Sequence, residues 1–235
     1  ITAMAASDRS AGKVYSEACA WKLPGKIPAN VRDIVVTPIE PPLDCDIVFS
    51  SLPGSVARET EEAFARAGYA VISNSSVYRM DEDVPLLIPE INADHVGLIE
   101  KQRENRGFAK GFIVTNPNCA VVSFAPPLAA LHRKFGVESV IVTTLQAISG
   151  AGYPGVAALD ITDNVFPYIA GEEPKVETEA QKILGVFTES GIQKADFTVS
   201  AQCFRVNVVD GHMASVRVNL KKTAALDEVI DAMKT

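Results

Sequence analysis

The stretch DCDIVFSSLPGSVARETEEAFARAGYAVISNSS, residues 44–76, decides the fold class of this 235-residue chain. A short β-rich run ends at a Ser-Ser-Leu-Pro turn, an amphipathic helix follows, and a second apolar run begins after Gly68. Ser55 is the predicted N-cap of this helix, and Gly68 is its predicted end. A strand, a helix and a strand in this order predict a parallel sheet with the helix packed on one face.

The same alternation continues on both sides of this unit. The runs ITAMAAS, DIVVTPI and GFIVTNP are typical of further strands, and NADHVGLIEKQRENRG predicts a helix capped by Asn92 and closed by Gly107. In open sheets of this kind, ligands bind beyond the carboxyl ends of the strands. We therefore expect the segments SDRSAGK, SLPGS, SNSSVYRM and TNPNC to line one edge of the sheet.

The second half of the chain has a different pattern. A helix is predicted from Asn118 to Gly136, with a kink at Pro126-Pro127, and long strands follow in VESVIVTTLQAIS, DFTVSAQCFRVNVV and HMASVRVNLKK. Long strands with few helices between them indicate a mixed or antiparallel sheet. We predict an α/β protein with a partial Rossmann-type parallel sheet over residues 1–117 and an α+β domain with a mixed sheet over residues 118–235.

Composition excludes several classes of function. The net charge of −7 and the lack of a basic run argue against nucleic acid and anionic membranes as partners. No apolar run reaches the ~18 residues needed to cross a bilayer. The four cysteines form no metal-binding pattern, so we predict no metal site and a reducing, cytoplasmic location. Both ends interrupt the pattern of elements, and we expect them to be cut from a longer protein.

The segment TNPNCA, residues 115–120, is the sharpest candidate for chemistry. It places Cys119 between a predicted strand and a predicted helix. A helix N-terminus has partial positive charge and unpaired N–H groups, which favour a thiolate and can hold an oxyanion. Cys119 is therefore a candidate nucleophile with a lowered pKa. The alternative is a small buried hydrophobic residue, as most free cysteines are.

A nucleophilic thiol requires a proton acceptor or donor beside it. His95 and His132 lie on predicted helices among charged residues, where surface positions are expected. His212 lies in a turn between two predicted strands, which is a better position for a reactive group. Arg205 lies seven residues earlier and suits a carboxylate ligand, although a surface arginine fits the local pattern equally well.

Three further polar residues have ambiguous local contexts. Gln146 ends a predicted strand, just before the glycine-rich loop SGAGYPG. Glu172 and Lys175 open a predicted helix and are equally typical of ordinary first-turn and solvent-facing charges.

The loop SGAGYPG contains the spacing Gly150-x-Gly152-x-x-Gly155 of a dinucleotide-binding turn. Its position after Cys119 and the proline at 154 argue against a pyrophosphate site. The segment SDRSAGK, residues 7–13, follows the first predicted strand and has the side chains to hold a phosphate. If that strand is the second of a Rossmann sheet, the true glycine-rich turn belongs about 20–30 residues upstream.

The motifs AASDRSAGK, DIVFSSLP, SNSSVYRM, LLIPEIN, TNPNCA, LQAISGAGYPG and RVNVVDGH occur in this order over almost the whole chain. Together they resemble the aspartate-semialdehyde dehydrogenase family of the archaeal and fungal type. The resemblance implies an NADP-binding domain followed by a catalytic and dimerisation domain, in a homodimer or homotetramer. The implied reaction is the reductive dephosphorylation of L-aspartyl-4-phosphate to aspartate semialdehyde, in the biosynthesis of lysine, threonine, methionine and isoleucine.

The resemblance also implies roles for particular residues. Cys119 would be the nucleophile, His212 the acid/base and Gln146 the group that orients the acyl intermediate. The substrate α-carboxylate would meet Arg205, its amino group Glu172, and its phosphate Arg79, Asn118 and Lys175. The residues implied at the NADP site are Ser7, Arg9, Ser10, Leu52, Pro53, Asn74, Ser149 and Gly150. The loop from Gly150 to Gly155 would then lie beside the nicotinamide.

Three alternatives stay open at this point. An acyl-CoA reductase, such as a malonyl-CoA reductase, would use the same scaffold with thioester transfer in place of phosphate loss. A catalytically incomplete fragment would serve dimerisation or regulation without its own turnover. A cysteine hydrolase would use the same thiol and imidazole without a nucleotide, although SDRSAGK argues for one.

Overall fold

The computed structural model describes residues 1–234, which divide into two compact units. The first unit combines Ile1–Tyr78 with Ile99–Val114, and the second combines Arg79–Leu98 with the chain from Thr115 onward. The strands are β1 (Met4–Ala5), β2 (Val36–Thr37), β3 (Ile47–Ser50), β4 (Ala70–Ser73), β5 (Phe112–Thr115), β6 (Val137–Gln146), β7 (Val165–Phe166), β8 (Val186–Thr188), β9 (Gly191–Gln193), β10 (Thr198–Val206) and β11 (Met213–Leu220). The α-helices are α1 (Tyr15–Ala18), α2 (Ala29–Arg32), α3 (Gly54–Arg66), α4 (Pro89–Asn92), α5 (Leu98–Arg106), α6 (Cys119–Phe135), α7 (Ala158–Ile161), α8 (Glu173–Ile183) and α9 (Leu226–Met233).

The first unit contains the predicted strand, helix and strand. β3 and β4 pair in parallel, with Ile47 opposite Ala70, and the sheet order is β3-β4-β5. Helix α3 connects the two strands and buries an apolar stripe that includes Phe64. The helix begins two residues earlier than predicted, because the backbone of Pro53 already has the conformation of an N-cap. Ser55 is therefore not the N-cap, whereas Gly68 ends the helix at a φ of 101°.

The strands of the first unit form two sheets, and no described strand joins them. β1 pairs in parallel with β2 in a sheet of its own, separate from β3, β4 and β5. Residues of β1 and β3 line a common cavity of about 1140 Å³, and Phe49 of β3 is 81% exposed. In a doubly wound dinucleotide-binding sheet, the first strand lies at this central position. Because no strand of residues 1–234 fills it, the sheet is the partial Rossmann-type sheet that the sequence predicts.

The helix predicted after residue 92 is interrupted. It consists of α4, a 3₁₀ turn at Ala93–Gly97 and α5. Asn92 holds the N-cap position of the 3₁₀ turn but makes no side-chain capping bond, because its buried side chain accepts a hydrogen bond from the Ile88 N–H and donates one to the Leu86 carbonyl. The surface position expected for His95 is also wrong. Its ring is 1% exposed and lies between the Asn92 amide and the Gly185 carbonyl.

The second unit is built on the mixed sheet β11-β6-β10-β7. Central strand β6 runs parallel to β10 and antiparallel to β11, which confirms the predicted mixed sheet. β10 and β11 follow each other in sequence but lie on opposite sides of β6. Helix α6 is continuous through Pro126-Pro127, and with α8 it packs on the inner face of the sheet, where Val140 and Val142 contribute to one apolar core.

The register of this sheet sets the position of the polar residues at its end. Alternate residues of β6 are buried and exposed, so that Gln146, at the last position, faces inward. Arg205 of β10 is paired with Gln146 in the parallel ladder and is buried as well. The carboxyl ends of two neighbouring strands therefore carry an amide and a guanidinium on the same face, next to the loop that follows β6.

Candidate active site

Cys119 is the first residue of helix α6. Asn118 is the N-cap, and its side-chain oxygen accepts a hydrogen bond of 2.8 Å from the Ala120 N–H. The Asn-Pro-Asn sequence favours this start, because proline cannot continue a strand ladder and asparagine is a preferred N-cap. The prediction for this helix start is confirmed. It leaves the Cys119 thiol exposed at the positive end of a 17-residue helix.

His212 lies beside this thiol. Its Nε2 is 3.2 Å from the Cys119 Sγ, and its Nδ1 accepts a hydrogen bond of 3.1 Å from the Ala147 backbone N–H. A backbone N–H can only donate, so Nδ1 has no proton in the neutral ring. The ring proton is consequently on Nε2, directed at the sulfur. In this arrangement His212 is a hydrogen-bond donor to Cys119.

The protonation states of this pair differ from the sequence-based expectation. Cys119 is exposed but partly desolvated by the residues around it. This partial burial raises the pKa of its thiol, and the negative charge of Glu172 raises it further. The backbone N–H groups of Cys119 and Ala120 and the charge of Arg79 lower that pKa, but they are outweighed. The expected lowered thiol pKa was therefore wrong for the site without substrate. Burial lowers the pKa of His212, so the resting pair at neutral pH is a thiol and a neutral imidazole.

Glu172 is the hub of the polar network around this pair. Its Oε1 accepts hydrogen bonds from the Asn118 amide at 2.7 Å and from the Gln146 amide at 3.2 Å, and Lys175 lies 3.3 Å from its Oε2. Burial alone would raise the pKa of Glu172, but the hydrogen bond from Asn118 and the charge of Lys175 lower it overall. Glu172 is thus a buried carboxylate, and the interpretation as an ordinary first-turn charge was wrong.

Arg205 lies next to the imidazole. Its Nη1 donates a 2.7 Å hydrogen bond to the Ala147 carbonyl, and the N–H of the same residue donates to His212, so the backbone of Ala147 links the two side chains. The alternative of a surface arginine was wrong, because Arg205 is buried. Gly150 closes over both side chains: a Cβ there would lie 2.8 Å from the Arg205 Nη1 and 2.9 Å from the His212 Cε1. Only glycine allows this approach.

Arg79 is held in the same unit by residues that the sequence reasoning missed. Its Nη1 lies 3.0 Å from the Glu179 carboxylate, and the other Glu179 oxygen accepts a 2.6 Å hydrogen bond from the Asn118 backbone N–H. Lys182 donates to three backbone carbonyls of residues 79–84. The available signal was the spacing of charges at 172, 175, 179 and 182, which places all four on one helix face.

The residues predicted for the cofactor fall in both units. The segment 7–10 follows β1, Leu52 and Pro53 follow β3, and Asn74 follows β4, so these lie at strand ends of the first unit. Ser149 and Gly150 lie in the second unit, in a 3₁₀ turn at Ile148–Ala151. This turn opens no α-helix, so it lacks the N-terminus that a pyrophosphate turn requires. The role of these residues in cofactor binding stays a prediction.

Residues 1–234 contain no group of three or more His, Cys, Asp or Glu side chains arranged to hold a metal ion. No helix in this range is both long enough and apolar enough to cross a membrane.

Two known protein families match the chain. Residues 1–99 match the family described as semialdehyde dehydrogenase, NAD binding domain, and residues 128–235 match semialdehyde dehydrogenase, dimerisation domain. Aspartate-semialdehyde dehydrogenase of Archaeoglobus fulgidus is 49% identical over 236 aligned residues, which are 100% of this chain and 68% of that protein. The enzyme of the same name from Trichophyton rubrum is 45% identical over 242 residues, or 100% of this chain and 67% of that protein.

Solved structures show the same relationship. The crystal structure of Candida albicans aspartate semialdehyde dehydrogenase with NADP has a TM-score of 0.89 and 39% identity, and it covers 99% of this chain and 68% of that chain. The chain thus spans about two thirds of the length of the relatives that it matches. Full coverage of the chain at this identity shows that it belongs to the aspartate-semialdehyde dehydrogenase family.

Proposed function

We propose that this chain catalyses the NADPH-dependent reductive dephosphorylation of L-aspartyl-4-phosphate to L-aspartate 4-semialdehyde, through a thioester on Cys119. One observation carries the proposal: the Cys119 Sγ lies at a helix N-terminus, 3.2 Å from the Nε2 of His212. A thiol with a donor imidazole and convergent helix N–H groups suits acyl transfer. The family itself consists of oxidoreductases of amino-acid biosynthesis.

The chain's own residues account for the proton and charge requirements of acyl transfer. The Cys119 thiol is exposed and loses its proton to solvent, and the His212 Nε2–H stabilises the resulting thiolate. The thiolate attacks the acyl carbon, the bond from that carbon to the phosphate oxygen breaks, and phosphate leaves. The cofactor, when bound, supplies a hydride to the thioester carbon. The oxyanion that develops lies near the N–H groups of α6. It collapses to the aldehyde as the carbon–sulfur bond breaks, the His212 Nε2–H again stabilises the departing thiolate, and the sulfur regains its proton from solvent.

The substrate groups are assigned by charge. Arg205 pairs with the α-carboxylate, and Glu172 accepts from the amino group. Arg79, Lys175 and Asn118 meet the phosphate, which needs local cations in a chain of net charge −7. Gln146, held by Glu172 at 3.2 Å, orients the acyl group. The placement of Asn118, Gln146, Glu172, Arg205 and His212 in one compact unit supports these roles.

The proposed NADP site lies at the strand ends of the first unit. Ser7, Arg9 and Ser10 follow β1, where the adenosine 2′-phosphate is bound in a Rossmann sheet, and these side chains suit a phosphate. Leu52, Pro53 and Asn74 follow β3 and β4 at the carboxyl ends of these parallel strands. Gly150 brings bare backbone close to the catalytic pair, which suits a flat nicotinamide ring.

A homo-oligomer is supported by the outer face of the mixed sheet. Ile141 of β6, Val165 of β7 and Met213 of β11 are 52%, 50% and 66% exposed. The match to a dimerisation domain covers these residues. We propose that this face forms the contact between two copies in a homodimer, or in a homotetramer built from such dimers. The proposed location is the cytoplasm.

The test is phosphate-dependent reduction of NADP by aspartate semialdehyde, the reverse reaction, followed by absorbance at 340 nm. The enzyme that contains this chain, residues 1–235 alone and a Cys119→Ala variant are compared. We expect activity in the enzyme and none in Cys119→Ala. Cys203→Ala is the matched control, because Cys203 is a buried core residue.

Other outcomes would replace the proposal. No activity with phosphate but turnover with coenzyme A would assign the chain to the acyl-CoA reductases. Release of aspartate without NADP would assign it to the cysteine hydrolases. The rate of NADP reduction by residues 1–235 alone, compared with that of the longer enzyme, shows how well NADP is used without a strand between β1 and β3.

A further inference from the structure

One face of helix α8 carries four charges in alternation: Glu172, Lys175, Glu179 and Lys182. The first two belong to the substrate site described above. Glu179 and Lys182 are 1% and 3% exposed and have no role in the proposed chemistry. Buried charges lose their hydration, so each requires specific partners in the fold.

The two oxygens of Glu179 connect two parts of the site. One oxygen accepts from the Arg79 guanidinium at 3.0 Å, and the other accepts from the Asn118 backbone N–H at 2.6 Å. Asn118 is the N-cap that precedes Cys119. A single carboxylate thus sets the distance between the arginine and the start of the catalytic helix.

Lys182 fixes the other end of the same arginine. Its Nζ donates to the backbone carbonyls of Arg79, Asp81 and Val84 at 2.7–2.8 Å. The backbone of Arg79 is therefore bound to α8 through Lys182, and its guanidinium is bound to α8 through Glu179. This double attachment limits the arginine to one orientation of its planar donor fork.

A gain in folding stability does not explain why Arg79, Glu179 and Lys182 are buried together. Replacing a buried ion pair by apolar side chains of similar volume is often neutral or stabilising. An electrostatic purpose fits the geometry better, because Glu179 joins the Arg79 guanidinium to Asn118, the residue directly before Cys119. Arg79 therefore lies within electrostatic range of the nucleophile, where the leaving phosphate must be held.

We propose that Glu179 is a positioning residue for the anion subsite: it holds the Arg79 guanidinium and the N-terminus of α6 in one fixed arrangement, while Lys182 holds the Arg79 backbone. This inference rests on the proposed function of Arg79 as a phosphate ligand. Glu179 acts through Arg79 and Asn118 and makes no contact with substrate.

The test uses Glu179→Gln in the enzyme that contains this chain, with inorganic phosphate as the probe. The amide keeps the size of the side chain, but it cannot accept from both partners or pair with the guanidinium charge. Glu177→Gln is the matched control, since Glu177 lies on the same helix and accepts from the Ala201 backbone N–H. Alkylation of Cys119 by iodoacetamide is followed by mass spectrometry at increasing phosphate concentrations.

We expect Glu179→Gln to raise the phosphate concentration that halves Cys119 alkylation by about tenfold, because the arginine loses its fixed orientation. KM for phosphate should rise by a similar factor, whereas KM for aspartate semialdehyde should change by about twofold or less. Glu177→Gln should match wild type. If Glu179→Gln does not fold, Glu179→Asp is tested instead, because a chain one methylene shorter cannot reach both partners.

A double-mutant cycle separates positioning from a general structural role. If Glu179 acts through Arg79, Arg79→Lys should raise the half-protecting phosphate concentration much less in the Glu179→Gln background than in wild type. Additive effects of the two substitutions would overturn the inference, as would unchanged phosphate protection in a folded Glu179→Gln. If phosphate does not protect Cys119 in wild type and NADP reduction is also absent, the proposed function is wrong. That result differs from a failure of the positioning role alone, in which wild type is active and protected by phosphate.

Discussion

At the scale of single residues, the site depends on having glycine, which has no side chain, at position 150. Gly150 approaches Arg205 and His212 so closely that a Cβ would lie within 2.8–3.0 Å of three of their atoms. Its φ is not in the left-handed region, so the backbone itself tolerates other residues. The requirement for glycine at this position is therefore steric and comes from Arg205 and His212.

Gly150→Ala is expected to lower kcat/KM by about 100-fold with little loss of stability, since a shift of the catalytic groups by about 1 Å has costs of this order. Steady-state kinetics of the enzyme and thermal unfolding measure the two effects. Ala151→Ser is the matched control, because it also adds one heavy atom to this turn but at an exposed position. Equal activity of Gly150→Ala and wild type would contradict the steric account.

Asn118 has two functions that substitution can separate. Its side-chain oxygen caps α6, and its amide nitrogen donates to Glu172. Asn118→Ala should lower the free energy of unfolding by about 1 kcal/mol from the lost cap, and more from the lost contact with Glu172. Asn118→Ser restores a cap but has no amide, so it should recover stability without recovering activity. Urea unfolding and steady-state kinetics test this, and parallel recovery of both properties would contradict it.

At the scale of elements, the 3₁₀ turn between α4 and α5 contains a buried neutral histidine. The Asn92 amide donates to the His95 Nδ1, and the His95 Nε2–H donates to the Gly185 carbonyl. A second proton on Nδ1 would oppose the Asn92 donor. Burial in this position lowers the pKa of His95.

Because the folded-state pKa of His95 is below its ordinary value of 6.5, the unfolded chain binds a proton that the folded chain resists. Stability should therefore fall as the pH decreases below about 6.5, by at most about 1.4 kcal/mol per pH unit from this residue. His95→Gln cannot titrate and should flatten this dependence. Urea unfolding at several pH values between neutral and mildly acidic tests it, and parallel curves for variant and wild type would contradict it.

The elements also show which local patterns are reliable. Asn118, Gly136 and Gly68 mark helix ends correctly, because capping and positive φ act within a few residues. Ser55 was assigned wrongly as a cap, whereas Asn92 holds the cap position of the 3₁₀ turn without a capping hydrogen bond. Polar side chains of this type cap helices, but they also serve buried turns, and a neighbouring proline can set the helix start instead.

At the scale of the whole molecule, the outer face of the mixed sheet can be changed without disturbing the inner core, so association and folding can be tested separately. Ile141→Lys should convert the oligomer to monomers, because it adds a positive charge to the proposed contact, beside Arg217 on the neighbouring strand, while leaving the inner core intact. Sedimentation velocity measures the change, and circular dichroism verifies the fold. Val186→Lys is the matched control, since Val186 is also exposed but lies on the separate hairpin of β8 and β9. If Ile141→Lys leaves the oligomer unchanged, this face is not the contact between the two copies.

The alternation of strands and helices, the start of α6 at Cys119 and the candidate site residues can be predicted from the sequence, because periodicity, capping and motif order are properties of short segments. Which charges are buried together depends on the tertiary structure. It brought His212 within 3.2 Å of Cys119, fixed the Nε2 proton through the Ala147 N–H, and joined Glu179 to Arg79 across 100 residues of chain. These contacts depend on sheet register and helix packing, which set both the burial and the electrostatics of the site, and no local pattern encodes them.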